Sequence, residues 1–121
     1  MRFLTVIFLL SCLFSCSDGI KRKDAPVDLI ERNQMVNVMK DLIKLESYIQ
    51  GKYPSVAQYQ KVMVNSGDSL LGTFGLTKDR FQSSLEYYGA RQDMMKEIYD
   101  DILDDLNREL GDLNAQVKDS I

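Results

Sequence analysis

The sequence has no histidine and no tryptophan, and its two cysteines, Cys12 and Cys16, both lie near the N-terminus. The lack of histidine excludes Ser-His-Asp and Cys-His catalysis, and also histidine-ligated zinc. Because no cysteine follows Cys16, a disulfide framework and thiolate metal sites are excluded as well. Carboxylate, lysine and tyrosine side chains are what remains for chemistry.

The sequence also has no excess of basic residues and no long apolar segment. Its 15 lysines and arginines face 18 acidic residues, which gives a formal net charge of −3. Nucleic acid is therefore not an expected partner. No stretch is long and apolar enough to cross a bilayer as a helix, so membrane attachment would have to be through a lipid. The length allows one small domain.

The front of the chain has the layout of a secretory signal peptide. Arg2 is followed by the apolar residues 3–10, and then by two consecutive Leu-x-Ser-Cys tetrapeptides that end at Cys12 and Cys16. Both resemble the lipobox of bacterial lipoproteins, in which the signal peptidase cuts before a cysteine that becomes acylated. We predict a signal peptide over residues 1–15 with Cys16 as the lipidated residue, and Cys12 as the alternative. Cutting before Cys12 would leave two large apolar residues in the mature tail.

Residues 16–27 are expected to contain the lipidated cysteine and a flexible tether. Gly19 and Pro26 interrupt regular secondary structure in this segment. The expected location is the cell envelope, with the chain held at a membrane by lipid. Ser17, rather than aspartate, follows the cysteine, which by analogy with other bacteria favours the outer membrane. We expect the domain to face the periplasm.

Residues 28–113 show helical periodicity and no period-two alternation, which predicts an all-α bundle of about four helices. The first helix is expected from Glu31 to about Gln50, with Gly51 as its stop. The second is expected from Val56 to about Phe74, with Gly67 packed closely or kinked. A break at Ser66 to Asp68 is the alternative.

Local signals define the last two helices. Thr77 is the expected N-cap of a helix that ends at Gly89, with Leu76 and Phe81 at the spacing of a hydrophobic staple. The final helix is predicted from about Gln92 to Leu113, and residues 114–121 are expected to fray. Its apolar residues form a double stripe: Met94, Met95, Ile98, Tyr99, Ile102, Leu103, Leu106 and Leu110.

Short segments spread over the predicted helices form a recognisable pattern: Leu29-Ile30, Met35, Asp41-Leu42, Glu46, Gly75-Leu76-Thr77, Phe81-x-x-Ser84-Leu85-x-Tyr87-Tyr88 and Ile98-Tyr99-Asp100. This pattern resembles a family of small lipoproteins of the Bacteroidetes type that share a domain of unknown function (4296). Proline would be expected at Glu31 and Gln92, where this sequence departs from the pattern. The resemblance implies an envelope lipoprotein and brings no catalytic residues.

Glu46 breaks the apolar pattern of the first helix. At 100° per residue it falls within the arc formed by Met35, Met39, Leu42 and Ile49. A carboxylate there must be paired, must be neutralised, or must reach water at the rim. The expected donors are the phenols of Tyr87, Tyr88 or Tyr99, or the side chains of Arg80 or Arg91. We expect a structural hydrogen bond, with a partner-facing acid as the alternative.

The acidic run from Asp100 to Asp105 contains the Asp-Asp-x-x-Asp spelling that terpenoid synthases use to hold magnesium. This domain is too small for the cavity of those enzymes. On a helix, Glu97, Asp101 and Asp105 form one i, i+4 row outside the double stripe of apolar residues. This position indicates a face exposed to solvent. We expect no metal and no cofactor.

Without histidine, a reactive cysteine or a glycine-rich loop, the sequence favours a non-enzymatic, lipid-anchored helical module that binds a protein or polypeptide. The run from Leu76 to Gly89 also resembles helix starts in periplasmic parvulin-type chaperones, which points in the same direction. Two alternatives stay open at this point. They are a small carboxylate-dependent hydrolase or lyase, and a purely structural envelope spacer.

Overall fold

The computed structural model describes residues 24–120. They form four α-helices: α1 (Arg32–Lys52), α2 (Val56–Thr73), α3 (Lys78–Gly89) and α4 (Gln92–Asp119). α1 is central and packs against α2 and α4, while α3 joins α2 to α4. The predicted small all-α bundle is confirmed. The signal peptide, Cys12 and Cys16 lie outside the described residues.

α1 ends differently from the prediction. Gly51 lies inside the helix, which continues to Lys52, and Tyr53 is extended with φ −120° and ψ 94°. The following Pro54 gives the physical reason, because proline disfavours helical geometry in the residue before it. Gly51 therefore does not act as a left-handed cap.

α2 is one continuous helix through Ser66–Asp68, as predicted, and the alternative of a break at these residues is not observed. A Cβ at Gly67 would lie 4.0 Å from the Leu42 side chain, so α1 approaches here. Gly75, with φ +67°, ends the helix. Its N–H bonds to Gly72 and the N–H of Leu76 bonds to Leu71, which is the Schellman arrangement.

α3 begins as its local signals predict. The Thr77 side chain accepts a hydrogen bond from the Arg80 N–H at 3.3 Å, so Thr77 is the N-cap. Leu76 is buried and Phe81 is partly buried in the same apolar cluster. The helix ends at Gly89.

α4 runs on past Leu113 to Asp119, so it is longer than the predicted helix, and its residues 111–119 are all exposed. The single Gly111 does not end the helix, and Lys118 in the last turn complements the negative end of the helix dipole. The double apolar stripe is divided by burial: Ile98 and Ile102 are buried, whereas Tyr99, Leu103 and Leu110 are exposed.

The core lies between α1 and the first half of α4, and α3 closes it over the segment before α1. Its buried members are Ile30, Met35, Val36, Val38, Met39, Leu71, Leu76, Tyr88, Ile98 and Ile102. On α2, Leu71 is buried, whereas Val56 at the start of the helix is 71% exposed. The core is therefore built mainly by α1 and the first half of α4, while α2 and α3 add one buried apolar residue each, Leu71 and Tyr88.

Candidate functional site

Glu46 is exposed, so its carboxylate is not buried but reaches water, which is one of the three arrangements that the sequence allowed. Its partner is the Tyr59 hydroxyl of α2, which donates at 2.9 Å, and none of the tyrosines or arginines that we expected. This hydrogen bond to a carboxylate raises the pKa of Tyr59. The physical reason for the exposure is that α2 and α4 do not contact each other within residues 24–120. The apolar residues of the same arc, Met35, Met39, Leu42 and Ile49, are buried or partly buried, so Glu46 is the one exposed position among the five.

Tyr88 has a different role. It is buried, and its hydroxyl donates to the carbonyl oxygen of Ile30 at 2.7 Å. The Ser84 hydroxyl, also buried, accepts from the Ile30 N–H at 3.0 Å. One turn earlier on α3, Arg80 Nε donates to the Asp28 carbonyl oxygen at 2.7 Å. Burial raises the pKa of Tyr88, which keeps its hydroxyl protonated as a donor.

We call Arg80, Ser84 and Tyr88 the backbone clamp. They stand at i, i+4 and i+8 on α3, so they share one face of the helix. That face binds the main chain of the segment before α1, whose buried N–H and C=O groups need partners. Sequence reasoning missed the clamp. The available signal was Ser84, a polar residue on an apolar face.

Tyr87 and Tyr99 lie apart from Glu46 as well. The Tyr87 ring packs edge-on against Tyr88 at a centroid distance of 5.4 Å, and the Arg91 guanidinium lies 3.7 Å from the Tyr87 ring centroid. Tyr99 is 47% exposed on α4. The structure therefore does not bring the predicted candidates Glu46, Tyr87, Tyr88 and Tyr99 together into one site.

The acidic row of α4 is paired with a basic row of α1, rather than simply solvated. We call these contacts the ion ladder. Its pairs are Arg32 with Glu97 (3.6 Å) and Asp101 (2.7 Å), Lys40 with Asp105 (3.0 Å) and Glu109 (3.3 Å), and Lys44 with Glu109. Residue numbers rise together along the two helices, so α1 and α4 are parallel. The ladder fixes the rotation of α4 about its own axis.

The ladder shifts the pKa values of its members in the direction of stable ion pairs. The hydrogen bond from Lys40 lowers the pKa of Asp105, and the hydrogen bond from Lys44 lowers that of Glu109. The hydrogen bond to Asp105 raises the pKa of Lys40. A general acid at neutral pH needs a raised carboxyl pKa. The lowered pKa values of Asp105 and Glu109 instead fit a role in holding α1 and α4 together.

These shifts predict how stability changes with pH. The lowered carboxyl pKa values contribute stability above about pH 4, which is lost as the pH falls through them. The raised pKa of Lys40 contributes stability below about pH 10.5, which is lost as the pH rises through it.

Urea unfolding from about pH 7 to pH 3 should therefore show falling stability. Lys40→Met should be less stable at neutral pH and should flatten the acid decline, whereas Lys61→Met, an exposed control on α2, should keep it. An equally steep decline in Lys40→Met would contradict the prediction.

Apolar side chains form an exposed line along α4. We call it the apolar stripe; its members are Tyr99, Leu103, Leu106, Leu110, Leu113 and Val117. Leu106 is partly buried, and the other five are 47% to 60% exposed. A contiguous apolar surface of this kind is typical of an interaction site. The ion ladder holds another face of α4 against α1, so the stripe faces away from α1.

Open hollows also lie on the surface. One, of about 220 Å³ at the turn between α1 and α2, is lined by Gln50, Tyr53, Pro54, Val56 and Tyr59. A second, of about 340 Å³ between α1 and α4, is lined by Asn33, Val36, Asn37, Asp101, Asp104, Asp105 and Arg108. Within residues 24–120, no group of three or more acidic side chains is arranged to hold a metal ion. The carboxylate of Asp105 in the second hollow is already paired with Lys40 and Arg108.

The extent of this fold agrees with a comparison against known protein families. No curated protein and no solved structure matches the chain. A family model, described as a domain of unknown function (DUF4296), matches residues 26–111. This range begins just before the clamped segment and covers α1, α2, α3 and most of α4. The chain belongs to this family, the domain of unknown function DUF4296.

Proposed function

We propose that this chain is a lipid-anchored envelope lipoprotein whose helical domain binds a polypeptide without catalysing a reaction. The observation that carries the binding role is the apolar stripe, because five large apolar side chains in one line are exposed on a single helix. A purely structural spacer has no need of such a surface.

The anchoring role is supported by the N-terminal sequence, where two lipobox-like tetrapeptides end at Cys12 and Cys16. In residues 24–120 no helix is long and apolar enough to span a membrane. A lipid on Cys16 would attach the chain, with residues 17–27 as the tether. We place the protein at the outer membrane, with the domain in the periplasm.

Mass spectrometry of the N-terminal peptide tests the anchor. The mature chain is expected to begin at an acylated Cys16, and Cys16→Ala is expected to block processing or to release the protein from membranes. If Cys16→Ala remains lipidated and Cys12→Ala does not, the cleavage site is one tetrapeptide earlier. Membrane association that survives both substitutions would contradict lipid anchoring.

Capture from solubilised envelopes tests the binding role. The full-length tagged chain is expected to hold a stoichiometric polypeptide, and the double variant Leu103→Asp/Leu110→Asp is expected to lose it by about tenfold or more, because an unpaired charge in an apolar interface is strongly unfavourable. Val64→Asp is the matched control, since Val64 is 54% exposed on α2, away from the stripe. Equal capture by all three chains would contradict the proposed surface.

A further inference from the structure

The spacing of the apolar stripe indicates what kind of surface covers it. Its six members follow one another at steps of four, three, four, three and four residues. This is the a/d spacing of a heptad repeat, with Leu103, Leu110 and Val117 at a, and Tyr99, Leu106 and Leu113 at d. A strict 3.5-residue repeat matches a second helix that supercoils with the first. The stripe is about 27 Å long at 1.5 Å per residue, so the occupant is a helix of similar length.

The residues beside the stripe indicate which helix this is. Of the e and g positions beside the stripe, Asn107, Asn114 and Gln116 carry no charge, Ile102 is buried in the core, and Asp100 is paired with Lys96 of its own helix. Glu109, also at a g position, is already paired with Lys40 and Lys44 of its own α1. Although the chain is acidic, two copies of α4 therefore meet without like charges in contact. A charged partner helix would find no free opposite charge at these positions.

We infer that the apolar stripe binds the α4 helix of a second copy of this chain, and that the two helices form a parallel, in-register coiled coil. In that register Glu109 lies opposite Asn114 of the second copy, so no carboxylate meets another. The inference rests on the proposed function, since it names the polypeptide bound by the stripe. Tethering in one membrane raises the effective concentration of the two helices.

Disulfide cross-linking of the full-length protein in membrane vesicles tests this arrangement. The described residues contain no cysteine, so a single introduced cysteine is the reporter and the unsubstituted chain is the background. Leu103→Cys and Val117→Cys each face their own counterpart in a parallel pair, within the separation of about 4.4–6.8 Å between Cα atoms that a disulfide requires. Ala115→Cys is the matched control, because it is exposed on the opposite face of the same helix.

Mild oxidation is expected to give a dimer with both Leu103→Cys and Val117→Cys, and background only with Ala115→Cys. Leu110→Asp introduced into either reporter should remove the dimer, while Val64→Asp should leave it. Circular dichroism shows that each variant is folded. A dimer absent from both reporters, present in only one, or equally strong with Ala115→Cys would overturn the inference.

The capture experiment separates this inference from the proposed function. Tagged chain that retains untagged copies of itself, in a manner lost with Leu103→Asp/Leu110→Asp, supports both. A different polypeptide captured through the stripe, without cross-linking between copies, would support the binding role and overturn self-association. A stripe that holds neither a second copy nor another polypeptide would overturn both.

Discussion

Ile102→Ala is expected to lower the free energy of unfolding by about 2–5 kcal/mol, while Leu103→Ala, one residue further on, changes it by less than about 0.5 kcal/mol. Ile102 is 1% exposed in the core, so its truncation removes buried apolar surface and leaves a cavity. Leu103 is 57% exposed on the apolar stripe. Both positions lie inside α4 and receive the same kind of substitution.

Urea unfolding at low protein concentration measures both variants, because dilution removes any contribution from association through the stripe. Similar losses for Ile102→Ala and Leu103→Ala would mean that both halves of the double stripe are buried in the monomer. That result would contradict the exposed surface on which the binding role depends.

The backbone clamp carries the second large expected effect. Tyr88→Phe removes only the hydroxyl that bonds the Ile30 carbonyl, and Ser84→Ala removes only the acceptor for the Ile30 N–H. Each change leaves a buried polar group without its partner, at a loss of about 1–3 kcal/mol. Because both act on Ile30, the double variant should not show the simple sum of the two losses.

Tyr59→Phe is the matched control for the clamp. It makes the same chemical change on an exposed hydrogen bond to Glu46, and stability should stay unchanged within error. Hydrogen exchange gives a second measurement, since the amide of Ile30 should lose protection in Ser84→Ala. If Tyr88→Phe were as neutral as Tyr59→Phe, the clamp would not hold the segment before α1.

The sequence predicts those features that neighbouring residues decide. Thr77 caps α3 because its side chain reaches an N–H three residues later, and Gly75 ends α2 because it accepts a positive φ. Helical periodicity finds all four helices for the same reason. These signals need no knowledge of which helix packs against which.

Features decided between helices were missed. Glu46 lies in the apolar arc of α1, but its exposure depends on α2 and α4 staying apart. From the sequence alone, the acidic row of α4 is expected to face solvent. Its pairing with Arg32 and Lys40 becomes visible only when α1 is known to lie parallel to α4 and beside it. The clamp joins Ser84 to Ile30, which is 54 residues earlier in the chain. Periodicity within one helix carries no information on any of these.

The clamp also decides how the domain responds to mechanical tension. A pull on the chain ahead of Asp28 first meets three hydrogen bonds from Arg80, Ser84 and Tyr88, which hold Asp28 and Ile30 across α3. Two of these bonds hold the N–H and the C=O of Ile30, and the third holds the carbonyl oxygen of Asp28. The first turn of α1, whose bonds would otherwise open one after another, is shielded behind them. Force from the N-terminal side is thus transmitted to α3 and the core before α1 begins to unravel.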